Sequence, residues 1–270
     1  MAITTMDLLI SGMQPPQPIT KTSFTGQAAG GLHSSFYLAG LPGAATAPSP
    51  GLAGAALTNY SGQIPVPTVG GSQTIYLAGL DFTHGGNIGG VMICDRLWHN
   101  SGIVSATTTA QTVNSVAFPA RDQFGGTSGF GVQIGLEVST ATTNGAPITN
   151  TTISYTNSSA VSGRTGTITS FPANAVVGTF VPFNFAAGDQ GVTSIQSITL
   201  GTSYGTGVVN LVAYRVLGWV STPLTGTVGA QDFAQIGFPN IFTAPVPWLV
   251  YTLTGTAGGA LNGTVNFAAG

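Results

Sequence analysis

The chain has 270 residues, of which 43% are apolar and only 4% are charged, and its formal net charge at pH 7 is −2. An average soluble domain carries charge on about a quarter of its residues, so the polar surface must come from Ser, Thr, Asn, Gln and backbone groups. Five scattered cations, Lys21, Arg96, Arg121, Arg164 and Arg215, are too few to neutralise a nucleic-acid backbone, which argues against nucleic-acid binding.

The sequence also shows no stretch typical of a membrane span or of a secretory signal. No uninterrupted apolar stretch approaches the roughly 18 residues that a membrane span needs. The first 13 residues contain Asp7 and no basic residue, unlike a secretory signal, and the single cysteine, Cys94, cannot form an intramolecular disulfide. Little charge repulsion would keep copies of such a chain apart, which favours a protein that is held in an assembly.

Residues 1–70 are rich in Pro, Gly and Ala, and we expect them to form an extended N-terminal arm. Within this arm, residues 4–13 fit one short helix that begins near Thr5 or Asp7. Apolar side chains such as Phe36 and Leu57 continue through the arm, which indicates that it lies on a folded surface.

Residues 71–217 follow a strand pattern and are predicted to form a β-sandwich core. Residues 132–139 alternate apolar and polar side chains, as expected for a strand with one buried face. Ile153 and Tyr155 show the same period of two, and 208–217 is almost continuously apolar, like a strand covered on both faces. Turn signals fall between these stretches, for example at Asn144 and Gly145.

Residues 218–270 are predicted to form one more strand, at 248–254, with the rest of this region as a C-terminal arm. Together these elements predict an all-β protein, a jelly-roll-like antiparallel β-sandwich with extended Pro/Gly-rich N- and C-terminal arms. Residues 230–236 are short enough for a single helical turn.

One motif suggests catalysis but lacks its context. Residues 201–205 match G-x-S-x-G, the nucleophile turn of serine hydrolases, which needs a helix after it and a His later in the chain. Here a strand pattern follows, and His33, His84 and His99 all precede Ser203. We therefore interpret the motif as a hairpin loop, and we expect no enzyme activity, no cofactor and no metal held by side chains.

The run DRLWHNSG at 95–102 is the most polar cluster of the chain and has two interpretations. It is either a ligand pocket with Trp98 as a stacking platform, or a strand end at which Trp98 covers the core and Asp95 and Arg96 are paired. We favour the strand end and expect Trp98 to be buried beside a hydrogen-bonded Asp95 or Arg96. The run FPARD at 118–122 has the same two interpretations.

These two runs, together with GLEVS at 135–139, 194–203 and LVAYR at 211–215, resemble a family of tailed-bacteriophage virion structural proteins. The resemblance covers about 70–217 well and the arms loosely. It implies a capsid decoration or cement protein on the virion capsid surface, made in the bacterial host cytoplasm, with the major capsid protein as partner. The alternative is a tail or fibre protein that binds a host surface glycan.

The arms are predicted to be the assembly interface, because they carry apolar side chains that lack the periodicity of a core. The predicted interface residues are Phe36, Leu52, Leu57, Trp219, Phe238, Phe242 and Trp248. We expect a homo-oligomer, and analogy with decoration proteins at three-fold positions suggests a trimer. The alternative is that both arms fold back on their own domain.

Overall fold

The computed structural model describes residues 3–270, whose regular secondary structure is mainly β-strand. The first elements are α1 Met6–Gly12, β1 Gln17–Lys21, β2 Phe24–Thr25, β3 Leu32–Ser34, a 3₁₀ turn at Ser35–Tyr37, β4 Gly40–Leu41, β5 Ala55–Ala56, β6 Ile75–His84, β7 Ile88–His99 and β8 Gln111–Thr112. The later elements are β9 Val132–Thr140, β10 Thr152–Asn157, β11 Arg164–Ile168, β12 Thr179–Asn184, β13 Val192–Thr199, β14 Val208–Ser221, β15 Gly229–Asp232, α2 Phe233–Ile236, β16 Asn240–Ile241, β17 Pro247–Leu253, β18 Ala257–Gly258 and β19 Leu261–Ala269.

Six antiparallel strands close a barrel at the centre of the molecule. Their order is β3-β17-β7-β14-β9-β12, and β12 pairs back to β3. Phe180 lies 5.3 Å from both Tyr214 and Trp248, measured between ring centroids. These rings come from strands that are not neighbours in the barrel, so their contacts cross its interior.

Two further layers cover the outside of this barrel. The sheet β15-β6-β19-β1-β4 packs its apolar face, which includes Leu80 and Phe267, against Val91 and Ile93 of β7. On another side, β12 continues into β11-β10-β13-β8, and this extension packs against the outer face of β9 and β14. The prediction of an all-β, antiparallel fold is confirmed.

The alternating patterns in the sequence mark real strands. Residues 152–157 alternate partly exposed and buried along β10, and 208–217 lie in the long strand β14. The expectation for 132–139 needs a correction, because β9 is buried on both faces and not on one. Its second face points into the barrel, where Gly135 packs against Phe180 and Glu137 is fully buried.

The short helix predicted within 4–13 is confirmed as α1. Thr5 caps it, since its hydroxyl accepts a hydrogen bond of 3.2 Å from the backbone N–H of Leu8. The region 230–236 is divided between β15 and α2, and Asp232 caps α2 by accepting from the N–H groups of Ala234 and Gln235. No helix among the described residues is both long and apolar enough to span a membrane.

The predicted division into two arms and a core is wrong. The boundary at 217 falls inside β14, and the C-terminal strands β17 and β19 are central strands of their sheets. The N-terminal region supplies β3. It is also joined to β17, because the backbone N–H of Ile64 donates to the carbonyl of Pro247. Both end regions fold back because β3 and β17 close the barrel, which 71–217 alone cannot do.

Candidate functional site

Most charged side chains lie inside the protein. The buried ones are Lys21, Arg96, Arg121 and Arg215 among the cations and Asp95, Asp122 and Glu137 among the acids. The side chain of Arg164 is 33% exposed and pairs with Asp189 at 2.9 Å, whereas Asp7 and Asp232 are exposed. The surface is therefore almost neutral, and its contacts must rely on apolar and hydrogen-bonding groups.

One ion pair occupies the interior of the barrel. The guanidinium of Arg96 on β7 donates to both carboxylate oxygens of Glu137 on β9, at 2.9 and 2.7 Å. Tyr37 donates its hydroxyl to the same carboxylate at 2.8 Å, and the guanidinium carbon lies 4.4 Å from the ring centre of Phe36. Charge, hydrogen bonds and an aromatic face together compensate the cost of burying this pair.

The buried pair changes the titration of its neighbours. Burial raises the pKa of Tyr37 well above its ordinary value, and the Glu137 carboxylate adds to this rise. Burial opposes the charged form of Arg96, but Glu137 outweighs burial and raises its pKa. Burial, followed by the charge of Arg96, lowers the pKa of His99 to about 2, so His99 is neutral and accepts from Arg96 Nε at 3.2 Å.

A second ion pair lies on the outer face of the same strand. Arg121 donates to both oxygens of Asp95, at 2.9 and 3.2 Å, and also to the carbonyl of Leu57 at 2.8 Å. Asp95 accepts from the backbone N–H of Val246 at 2.9 Å as well. This cluster joins β7, the loop at 121 and segments from both end regions of the chain.

Arg215 is the third charged group of this outer cluster. Its Nη2 atom lies 3.9 Å from Asp95 and donates to the carbonyl of Asn240 at 3.0 Å, while Phe242 lies 4.8 Å from the guanidinium carbon. Burial lowers the pKa of Arg215, although the charge of Asp95 acts in the opposite direction. Asp95 therefore faces two cations.

Lys21 is a buried cation that makes its hydrogen bonds to carbonyl groups. Its ammonium group donates to the carbonyls of Pro42 at 2.7 Å and Leu38 at 3.1 Å. Burial lowers the pKa of Lys21 to about 8. This side chain therefore fixes 38–43 against β1.

The predicted environment of Trp98 is confirmed. Trp98 is fully buried at the end of β7, its indole N–H donates to the carbonyl of Ala53 at 3.1 Å, and Asp95 and Arg96 are hydrogen-bonded beside it. Its ring packs against Gly54, where a Cβ atom would lie 2.4 Å from the indole. Because Trp98 is not exposed, it offers no stacking platform, and the ligand-pocket interpretation of 95–102 is wrong.

The G-x-S-x-G motif forms a loop without the geometry of a nucleophile. It connects β13 to β14, which do not pair, so it is not the predicted hairpin. The hydroxyl of Ser203 accepts from the backbone N–H of Gly205 at 3.1 Å, and the next element is a strand. Within residues 3–270, no three His, Cys, Asp or Glu side chains are grouped as metal ligands.

Three of the predicted interface residues lie in the core of their own chain. Phe36, Leu57 and Trp248 are buried in the cluster that fills the barrel, so they are unable to contact another copy. The prediction is wrong for them because the end regions complete the barrel. The other four predicted residues are partly exposed, namely Leu52, Trp219, Phe238 and Phe242.

The most exposed aromatic side chain, Phe124, is not among the residues predicted from the sequence. Phe124 is 72% exposed and lines a groove of about 730 Å³. We call this the barrel-mouth groove, since Met92 and Val216 in its wall follow the same strand faces as the interior residues Cys94 and Tyr214. The Gly-rich stretch that follows Phe124 was the available signal, because such stretches form exposed loops.

Comparison with known proteins gives only distant likeness. No family model matches the chain, and no curated protein matches it. A structure of the infectious bursal disease virus Gt strain is 12% identical, with 95% of this chain and 82% of that chain covered and a TM-score of 0.22. The VP2 subviral particle of the same virus is 13% identical, with 95% and 81% covered and a TM-score of 0.20. TM-scores this low carry no argument about function.

Proposed function

We propose that this protein is a structural subunit of a virus particle, a capsid decoration protein that binds the head lattice of a tailed bacteriophage and copies of itself. The observation that carries the proposal is the distribution of charge. Four of the five cations are buried as internal ties, and the surface is nearly neutral. Such a surface associates through apolar contacts without charge repulsion.

The rigid frame fits a protein that works by contact. Buried ion pairs and a closed barrel hold the surface in one shape, so little order has to be gained on binding. The phage head and the major capsid protein as partner rest on the family resemblance of runs that include 95–102, 118–122 and 135–139. The trimeric state rests on analogy with decoration proteins at three-fold positions. We expect no hydrolytic turnover with glycoside, ester or peptide substrates.

Copy number in purified particles tests this function. Quantitative mass spectrometry should find this chain in a number comparable to the major capsid protein, whereas a tail or fibre protein is present in few copies. A few copies per particle, or absence from the particle, would overturn the proposal.

Salt dependence tests the physical basis of the contact. Purified chain should bind particles that lack it equally well in 0.05 M and 1 M NaCl, because salt screens charge contacts and leaves apolar contacts intact. Val104→Lys adds a charge at an exposed site in the loop after β7. Its binding at the same two salt concentrations is the control for nonspecific effects of charge. Binding that is lost at 1 M NaCl would contradict an uncharged interface.

A second function, glycan binding by a fibre protein, is favoured by one groove. It has a volume of about 600 Å³ and is lined by the uncharged amides of Asn59, Gln63 and Gln73 beside Phe242. Amides and an aromatic edge suit a neutral sugar. Binding of the wild type and of the double variant Gln63→Ala/Gln73→Ala to a glycan array tests this second function. Binding that the double variant loses would favour the fibre function.

A further inference from the structure

Phe124 is held in solvent on a rigid loop, which we call the Phe124 loop (122–131). The carboxylate of Asp122 accepts from the backbone N–H groups of Phe124 at 3.0 Å and Gly126 at 2.8 Å. It also accepts from the hydroxyl of Ser128 at 2.7 Å. The backbone that carries the aromatic ring is therefore held in place, so less entropy would be lost if the ring were bound.

The loop is also anchored to the core. Arg121, the residue before it, makes the buried pair with Asp95. Gly125 lies against Phe242, since a Cβ atom there would be 2.6 Å from that ring. A rigid, anchored loop that exposes a large aromatic side chain has the form of a binding anchor, because aromatic residues in central pockets dominate interface energies.

A matching cavity lies beside this anchor. The barrel-mouth groove is walled by Met92, Pro182, Val216 and Ile236, with Phe124 at its side. Val216 is 43% exposed. The groove is large enough for an aromatic side chain, and mouths of β-barrels are common binding positions.

Charge identifies the occupant. Arg215 is the cation of the groove wall, and it is 4% exposed, is close to Asp95 and donates to Asn240. A partner with ordinary surface charges would bury them against this groove without counter-charges, at a large cost. A second copy of this chain brings an equally neutral surface and a Phe124 on the same hydrogen-bonded loop.

We propose that the barrel-mouth groove binds Phe124 of a second copy of this chain. Each copy carries both the aromatic anchor and the groove. The contact therefore repeats between copies, either reciprocally in a dimer or head to tail in a closed ring such as a trimer. This inference rests on the proposed function, since it names the surface through which the subunit binds itself.

Variants on both sides of the contact test it. Phe124→Ser removes the anchor, and Val216→Lys places a charge in the groove. Both side chains are exposed, so both variants should fold, as judged by wild-type circular dichroism. We expect each to weaken self-association by at least about 30-fold, as removal of an interface anchor does, in sedimentation equilibrium. Val104→Ser, an exposed apolar site in the loop after β7, is the control and should associate like the wild type.

Mixing the two variants separates a direct contact from an indirect effect. The groove of the Phe124→Ser chain lacks its own Phe124 but keeps the Met92, Pro182, Val216 and Ile236 walls. Phe124 of the Val216→Lys chain can still enter it, so the mixture should regain part of the association that neither variant shows alone. A purely structural role would not give this recovery. Wild-type association in the Phe124→Ser variant, or no recovery on mixing, would overturn the inference.

Self-association of the wild type and its copy number in particles together distinguish this inference from the proposed function. A wild-type chain that is monomeric at all concentrations but binds particles in high copy number would overturn the Phe124 contact and leave the decoration function standing. A chain that self-associates through Phe124 but is absent from particles would overturn the function alone.

Discussion

Asp95 and Arg96 are neighbours on β7, yet they belong to different parts of the molecule. Arg96 points into the barrel, where it pairs with Glu137 and lies against the rings of Phe36 and Trp248. Asp95 points outward and compensates the charges of Arg121 and Arg215. The buried positive charge of Arg96 is therefore compensated by one carboxylate together with aromatic rings, whereas the buried negative charge of Asp95 balances two cations.

The largest effect is expected for Asp95→Asn. The substitution leaves Arg121 and Arg215 buried without their common counter-charge and weakens the acceptor of the Val246 N–H. We expect a loss of about 5 kcal/mol in the free energy of unfolding, at the upper end for breaking a buried ion pair. Urea unfolding followed by tryptophan fluorescence measures it. A loss below that of Glu137→Gln would contradict the two-cation interpretation.

Glu137→Gln should cost somewhat less, about 3–4 kcal/mol. The amide still meets Tyr37 and Arg96, and the guanidinium keeps its contacts with Phe36 and Trp248. The double variant Arg96→Met/Glu137→Leu removes both charges and should be more stable than Glu137→Gln alone. A double variant that is less stable than the single one would show that the pair itself, and not its uncompensated half, sets the cost.

Acid should destabilise the protein before its carboxylates are protonated. Burial lowers the pKa of His33 to about 3, and burial with the Arg96 charge lowers that of His99 to about 2, against about 6.5 in an unfolded chain. The unfolded state therefore binds more protons below this value, so the stabilisation is present above about pH 6.5 and is lost as the pH falls towards 3.

His99→Asn tests this origin, because its side-chain oxygen can still accept from Arg96 while no imidazole titrates. Thermal unfolding between pH 7 and 4 should show a shallower decline than in the wild type. An identical decline in both chains would assign the acid effect to other groups.

The smallest effect is expected at the partly exposed pair. Arg164→Ala removes one of the donors to Asp189, but Tyr155 and Asn157 still donate to this carboxylate. The Arg164 side of the pair is 33% exposed, so water and salt screen it and its contribution is small. The urea midpoint should stay within error of the wild type, and a shift as large as that of Glu137→Gln would contradict the contrast between buried and exposed pairs.

The two end regions, predicted as arms, could not be placed from the sequence alone. The sequence predicts that the apolar side chains of Phe36 and Trp248 are covered, and both are buried. Their cover is their own barrel, since β3 and β17 are two of its six strands. Short strands such as β3, with three residues, carry too little periodicity to be distinguished from an extended arm.

The sequence by itself determined the all-β class, the strands within 132–139, 152–157 and 208–217, the capped helix α1 and the scarcity of charge. These properties depend on side chains close together in the chain, and a period of two can be read directly. Only the tertiary structure decided that β9 is buried on both faces, that Arg96 meets Glu137, and that Phe124 stands beside a groove. Those facts depend on barrel closure and on strand register, which bring together residues far apart in sequence through contacts that no local pattern records.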